Sequence, residues 1–128
     1  VTLLRDMHRE EEAITLLDQR IGAGRGNAEM LWHRADLWRL RGKFAEAIED
    51  LEQALRLDPS SFMALNLLGV IRFSQGEPAR AVDAYQRAIA LRPDMAEAHS
   101  NLGAALQALR RYEEGNNALD MAIRLKPD

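Results

Sequence analysis

Apolar residues recur three and four positions apart along most of the chain, and they do not alternate with polar residues. Ala81, Tyr85 and Ala88 show this spacing, as do Leu31 and Ala35. Residues spaced in this way share one face of a helix with 3.6 residues per turn, so the pattern predicts amphipathic α-helices. The predicted helices cover residues 28–41, 44–57, 62–75, 78–91, 96–109 and 112–125.

A second regularity has a period of 34 residues. The segments "LRLDPS", "IALRPD" and "IRLKPD" end the second helix of three successive repeats, and they place a proline at positions 59, 93 and 127. Helices in pairs with a fixed period predict a repeat protein, in which each pair buries its apolar face against the next. The predicted single domain, 1–128, contains whole repeats over residues 28–61, 62–95 and 96–128 and a partial repeat over 1–27.

Glycine and proline residues predict where the helices begin and end. Gly42 and Gly76, one period apart, are predicted to end the first helices of their repeats, where positive φ is favoured. Pro78 suits the first turn of a helix. The partial repeat is predicted to contain the tail of one helix over 1–7 and a second helix over 10–21, followed by the Gly-rich link "GAGRGN".

These units resemble the tetratricopeptide repeat, whose pattern places small residues, large residues and a closing proline at fixed offsets. The unit over 62–95 carries the pattern at Leu65, Leu68, Gly69, Arg72, Ala81, Tyr85 and Pro93. The resemblance covers essentially the whole chain and implies an all-α fold, a right-handed superhelical array of antiparallel helix pairs. Small residues are expected where paired helices nearly touch, namely Ala47, Ala54, Gly69, Ala81, Ala88, Gly103 and Ala122.

Two arginines depart from the family pattern. Arg34 replaces an expected leucine and Arg72 an expected aromatic residue. Buried guanidinium groups require water or a carboxylate. Glu11 and Asp18 are candidate partners of Arg34, and Phe73 is a candidate to replace the ring missing at Arg72. The simpler interpretation is that both stems pack while their heads reach solvent.

Charge and composition exclude several classes of function. Lys and Arg number 17 against 20 Asp and Glu, so the net charge of −3 gives no general attraction for nucleic acid. Two tryptophans stand among arginines in "WHRADLWRLR", but they fall on different helical faces. There is no cysteine, and the three histidines lack partners at metal-ligand spacing. We therefore expect no metal, no cofactor and no catalysis.

The resemblance implies a concave groove, lined by the first helix of each repeat, that holds a protein or peptide segment. Trp32, Met63, Leu67 and Val70 are expected to form an exposed apolar patch, which would mark a binding surface. The alternative is that these residues pack under neighbouring helices. The full predicted lining is Glu29, Trp32, His33, Asp36, Arg39, Met63, Asn66, Leu67, Val70, Phe73, Glu97, Ser100, Asn101 and Gln107.

The predicted lining also indicates which ligands are disfavoured. Family members that grip acidic C-termini of heat-shock chaperones use a clamp of Lys, Arg and Asn side chains. The comparable positions here carry Trp32, Asp36, Leu67, Glu97 and Asn101. We expect no such clamp, and the carboxylates would repel acidic ligands.

The chain is therefore interpreted as a protein-interaction module. Two alternatives stay open, a recruiting or regulatory segment of a larger enzyme and a self-assembling module. Leu119 and Ile123 are expected to face an absent repeat, which suggests a piece of a longer protein or homo-oligomers that pair through uncapped ends. No apolar run of membrane-spanning length and no targeting segment appear, which leaves cytoplasm and bacterial periplasm open. The abundant Arg and Ala look bacterial.

Overall fold

The computed structural model of the chain describes residues 2–22 and 27–126, and the side chains from residue 8 onward. These residues form helices and no strand, which confirms the all-α class. The six helices predicted for the three whole repeats are confirmed, with every end within one residue. The helices are α1 (Thr2–Arg20), α2 (Ala28–Leu40), α3 (Phe44–Leu57), α4 (Phe62–Ser74), α5 (Pro78–Leu91), α6 (Ala96–Ala108) and α7 (Tyr112–Leu125).

The prediction for the first 27 residues was wrong in one respect. The helix α1 runs without interruption from Thr2 to Arg20, where two helices were expected. No glycine or proline stands between Met7 and Glu10 to break the backbone hydrogen bonds, so a single helix is favoured. Val1, most of the Gly-rich link (23–26), Pro127 and Asp128 lie outside the described residues.

The chain divides into two compact units, Val1–Pro59 (the N-unit, α1–α3) and Ser60–Asp128 (the C-unit, α4–α7). The core of the N-unit lies between α2 and α3, where alanines let the two helices approach. Its fully buried residues are Leu31, Ala35, Ala47, Leu51 and Ala54, and Ile14 of α1 packs beside them.

The core of the C-unit joins three helices. Ala81, Val82 and Tyr85 of α5 pack with Ala105 and Leu106 of α6, and Ala118 of α7 completes the cluster. Burial of the Tyr85 ring, together with the nearby Glu97 carboxylate, raises the pKa of Tyr85 to about 12.

Glycines hold the paired helices of the C-unit close together. A methyl group at Gly69 would lie 2.6 Å from Tyr85 Cδ1, and one at Gly103 would lie 2.6 Å from Leu119 Cγ. Real side chains do not approach so closely, so the expected role of small residues at these contacts is confirmed. Ala122 is the exception, because it is only half-buried and lines an open cleft.

The turns between paired helices all use positive φ. Gly42 and Gly76 have φ of 74° and 79°, which confirms their predicted role. One period later the same place holds Arg110, with φ of 63°. A side chain in this conformation brings Cβ close to the backbone, so the third turn carries strain that the first two avoid.

Arg34 lies in a carboxylate network inside the N-unit. Its Nε and Nη2 donate to Asp50 at 2.7 and 2.6 Å, and its Nη1 donates to Asp18 at 2.7 Å. Asp18 was an expected partner, whereas Glu11 instead pairs with Arg41 at 3.1 Å. The hydrogen bonding of Arg34 to the Asp50 carboxylate is the main reason that the pKa of Arg34 is raised. The network joins all three helices of the unit.

Arg72 has no comparable network. Its Nη1 lies 3.5 Å from Glu77 Oε2, which is a weak contact. Phe73 points away from the core and is 38% exposed, so the expectation that it replaces a missing ring was wrong. Phe73 follows Arg72 by one residue, and adjacent residues on a helix point about 100° apart.

The strained turn predicts opposite effects of two substitutions. Gly76→Ala should lower the free energy of unfolding by about 1–2 kcal/mol, because nothing but backbone strain opposes the added methyl group. Arg110→Gly should raise it by about 0.5 kcal/mol or more. Urea unfolding measures both, and Arg110→Ala is the control, because it removes the side chain but keeps the strain. A stabilising effect of Arg110→Ala equal to that of Arg110→Gly would contradict this explanation.

The Arg34 network predicts strong coupling between two residues. Asp50→Asn should lower the free energy of unfolding by about 2–3 kcal/mol, because it leaves a half-buried guanidinium without its bidentate partner. The double variant Arg34→Leu, Asp50→Asn should lose much less than the sum of the single losses. The exposed pair Asp36 and Arg39 is the control, and Asp36→Asn should cost below about 1 kcal/mol. Additive losses at Arg34 and Asp50 would show that the pair is not coupled.

Candidate interaction surface

Five candidate residues lie along α2 in the N-unit. The rings of Trp32 and His33 stack with centroids 3.9 Å apart, and His33 Nε2 lies 3.7 Å from Glu29 Oε1. Trp32 is half-buried, whereas Glu29 and His33 are exposed. This end of α2 therefore presents an aromatic pair with a carboxylate beside it.

The other two candidates on α2 neutralise each other. Asp36 Oδ1 accepts hydrogen bonds from Arg39 Nε at 3.0 Å and Nη2 at 2.7 Å. Both side chains remain partly exposed. Because the charges are paired within one turn, Asp36 gives less repulsion of acidic ligands than its sequence position suggested.

Two amides meet in the C-unit and connect α4 with α6. Asn101 Nδ2 donates to Asn66 Oδ1 at 3.3 Å. Asn66 is only 4% exposed, whereas Asn101 is half-buried. The accessible amide of this pair is therefore that of Asn101, and Asn66 holds it in place.

The apolar candidates on α4 are less exposed than the sequence predicted. Met63, Leu67 and Val70 are half-buried, and Val70 packs against the core cluster of the C-unit. Phe73 is the most open of the four. The face thus offers partly exposed apolar side chains beside the amide pair.

A cleft of about 590 Å³ opens between α6 and α7. Glu97, Ser100 and Asn101 of α6 line it, which brings three predicted residues into one concave site. Gln107, farther along α6, instead donates to Asn116 of α7 at 3.3 Å. The lining also includes Ala96, Leu119, Ala122, Ile123 and Lys126. Of the two residues expected to be uncovered, Ile123 is 61% exposed, whereas Leu119 is half-buried and packs against Gly103.

The described part of the chain offers little material for catalysis. No group of three or more His, Asp or Glu residues there is placed to hold a metal ion. His8 pairs with Glu12 at 2.9 Å, and His99 Nε2 lies 2.8 Å from the Pro93 carbonyl oxygen. Within residues 2–22 and 27–126, every helix is too short or too polar to span a bilayer.

The sequence analysis missed two features of the structure. One is Asp50 as the main partner of Arg34. The other is a group of arginines, Arg72, Arg80 and Arg87, that line a cleft between α4 and α5. The spacing of Arg80 and Arg87, two turns apart on one helix, was the available signal.

Comparison with known proteins agrees with the repeat pattern. The family model described as tetratricopeptide repeat matches residues 1–62, 41–96 and 67–128. Superkiller complex protein 3 from Homo sapiens is 31% identical over 126 residues, which are 98% of this chain. The chain spans 8% of the length of that protein.

Solved structures with the same fold include MamA and a peptide complex. The crystal structure of MamA matches with a TM-score of 0.85 and 30% identity, over 96% of this chain and 72% of that chain. The first TPR of Spaghetti (RPAP3), bound to the HSP90 peptide SRMEEVD, matches with a TM-score of 0.78 and 25% identity, over 80% of this chain and 81% of that chain. The chain belongs to the tetratricopeptide repeat family.

Proposed function

We propose that the chain is an interaction scaffold that binds a segment of another protein on the α4–α6 face of the C-unit. The observation that carries the proposal is the Asn66–Asn101 pair, which fixes an accessible amide beside half-buried apolar side chains. The peptide bound to the first TPR of Spaghetti supports this class of ligand. The exposed edge of Trp32 and its neighbours on α2 is proposed as a further contact surface.

The chemistry of the face favours a backbone contact with apolar anchors. An amide side chain offers both a donor and an acceptor, which matches the donor and acceptor of a peptide group. Met63 and Leu67 would take apolar side chains of the ligand, and the cleft between α6 and α7 would take another. Residues fixed before binding lose less entropy on binding, so the buried Asn66 contributes by holding Asn101 in position.

The charge of the face favours neutral or basic segments. Among the described residues, no cation lies within 4 Å of the Glu97 carboxylate, which lines the cleft. Asp36 is paired with Arg39, so Glu97 is the main acidic group of the face, and Lys126 in the same cleft offsets part of its repulsion of acidic ligands. An acidic C-terminal peptide such as SRMEEVD is therefore a poor ligand under this proposal. No catalytic activity, cofactor or nucleic-acid partner is proposed.

Selection from a random peptide library displayed on phage tests the proposal. We expect neutral or basic peptides with at least two apolar residues. Leu67→Glu or Asn101→Ala should weaken their binding at least tenfold, which is about 1.4 kcal/mol. Fluorescence anisotropy with the labelled peptides gives the affinities, with SRMEEVD as the acidic comparison.

Leu91→Glu is the matched control for Leu67→Glu. Leu91 is an exposed leucine at the end of α5 in the same unit, outside the candidate face. The Leu91→Glu variant should bind the selected peptides like the wild type. Circular dichroism should show that Leu67→Glu, Asn101→Ala and Leu91→Glu are all folded. Equal loss in Leu91→Glu, or none in Leu67→Glu and Asn101→Ala, would contradict the proposed surface.

A second candidate function, self-assembly, is favoured by apolar exposure on α7. Ile123 is 61% exposed and lines the open cleft together with Leu119 and Ala122, so the apolar side chains form one contiguous patch. An uncovered face of this kind would be buried by a second copy of the chain. The two functions share the cleft between α6 and α7 but differ beyond it, because peptide binding also uses α4 and self-assembly uses the end of α7.

Sedimentation velocity over a hundredfold range of concentration tests self-assembly. If the cleft end of α7 is the interface, the wild type should associate with rising concentration and Ile123→Glu should remain a monomer. Met121→Glu, which lies on a different face of α7, is the matched control and should associate like the wild type. A wild type that stays monomeric throughout would exclude this second function.

A further inference from the structure

A cleft of about 320 Å³ lies between α4 and α5 in the C-unit and is unusually rich in arginine. Arg72 comes from α4, and Arg80 and Arg87 come from two successive turns of α5. The remaining lining residues are Leu68, Asp83 and Ala84. Three positive charges thus face one negative charge in a chain whose overall charge is −3.

The arginines of this cleft are poorly neutralised by the protein. Glu77 Oε2 lies 3.5 Å from Arg72 Nη1 and 3.7 Å from Arg80 Nη1. For Arg87, no carboxylate of the described residues lies within 4 Å. One partly exposed carboxylate therefore serves two guanidinium groups at long distance, and the third has none.

Arg72 is the least exposed of the three arginines, and its nearest carboxylate oxygen is 3.5 Å away. Its side chain is 22% exposed, close to the 18% of Arg34, which makes three hydrogen bonds of 2.6–2.7 Å to carboxylates. A half-buried guanidinium costs free energy unless its donors are satisfied. The donors of Arg34 are satisfied within the fold, whereas Arg72 lines the cleft and makes one long contact, to Glu77.

Repeat comparison shows that the fold does not require a charge at this place. Trp38 and Leu106 stand one period before and after Arg72, and Leu106 is buried in the core of the C-unit. Leu68 and Arg72 lie roughly opposite Asn66 and Val70 on α4, given about 100° per residue. The cleft is therefore separate from the candidate interaction surface on the same helix.

We propose that this cleft binds a phosphate dianion, either free or carried by an organic group. Arginine forks match the oxygens of a phosphate, and a dianion with three terminal oxygens can accept hydrogen bonds from more than one guanidinium. A carboxylate offers one charge and two oxygens, so it would satisfy fewer donors. Leu68 and Ala84 provide apolar contact for an organic group beside the anion. The negative charge of Asp83 would repel a second anion.

Titration of the arginine Nε–Hε signals by NMR at constant ionic strength tests the site. Phenyl phosphate should give saturable shifts at Arg72 and Arg87, with Arg124 of α7 unchanged. The double variant Arg72→Gln, Arg87→Gln should bind at least about tenfold more weakly, because it removes two charged donors. Arg124→Gln, which alters an exposed arginine of the same unit, is the matched control and should bind like the wild type.

Comparison of phenyl phosphate with inorganic phosphate and with benzoate identifies the class of ligand. Tighter binding of phenyl phosphate than of inorganic phosphate supports a phosphate on an organic group, and equal binding supports the free ion. Benzoate that binds as tightly as phenyl phosphate would overturn the assignment to phosphate. Shifts that grow without saturation and in parallel at Arg124 would overturn the site itself. If the double variant does not fold, Arg87→Gln alone provides the test, because Arg87 is exposed.

Discussion

The close approach of paired helices is the constraint on which the fold depends. Tyr85 lies against the backbone of α4 only because Gly69 has no side chain, and Leu119 lies in the same way against Gly103. In the N-unit the fully buried alanines of α2 and α3 serve the same purpose. In each of these pairs a large side chain of one helix packs where the other helix has a small residue. The period of 34 residues repeats this arrangement along the chain.

Much of this fold could be predicted because its signals are local. Gly42, Gly76 and Pro78 are local signals of helix ends, and the helix limits predicted with them agree with the structure within one residue. The break expected in α1 was predicted from the position of turns in the other repeats, although no glycine or proline stands there. That prediction was wrong. Arg110 shows the converse case, since the repeat register required a positive φ that the residue type concealed.

The candidate surface was less predictable, because helix phase gives the direction of a side chain but not the degree to which neighbouring helices bury it. Helix phase placed Asn66 and Asn101 in the same predicted lining, and the structure joins them by a hydrogen bond. Phase could not show that Asn66 is buried while Asn101 is accessible, because burial depends on the neighbouring helix. The same holds for Val70, which was expected in an exposed patch and instead packs partly against the core.

Arg34 and Arg72 show how one kind of departure from the family pattern can have two consequences. Each places a guanidinium where the pattern expects an uncharged side chain, and the two are similarly buried. Asp50 and Asp18 neutralise Arg34, so its charge joins three helices and is explained by structure alone. Arg72 shares a distant Glu77 with Arg80 and faces a cleft that also contains Arg87. Arg34 is thus neutralised by the fold itself, whereas the weaker neutralisation of Arg72 is the reason for which we propose a ligand in its cleft.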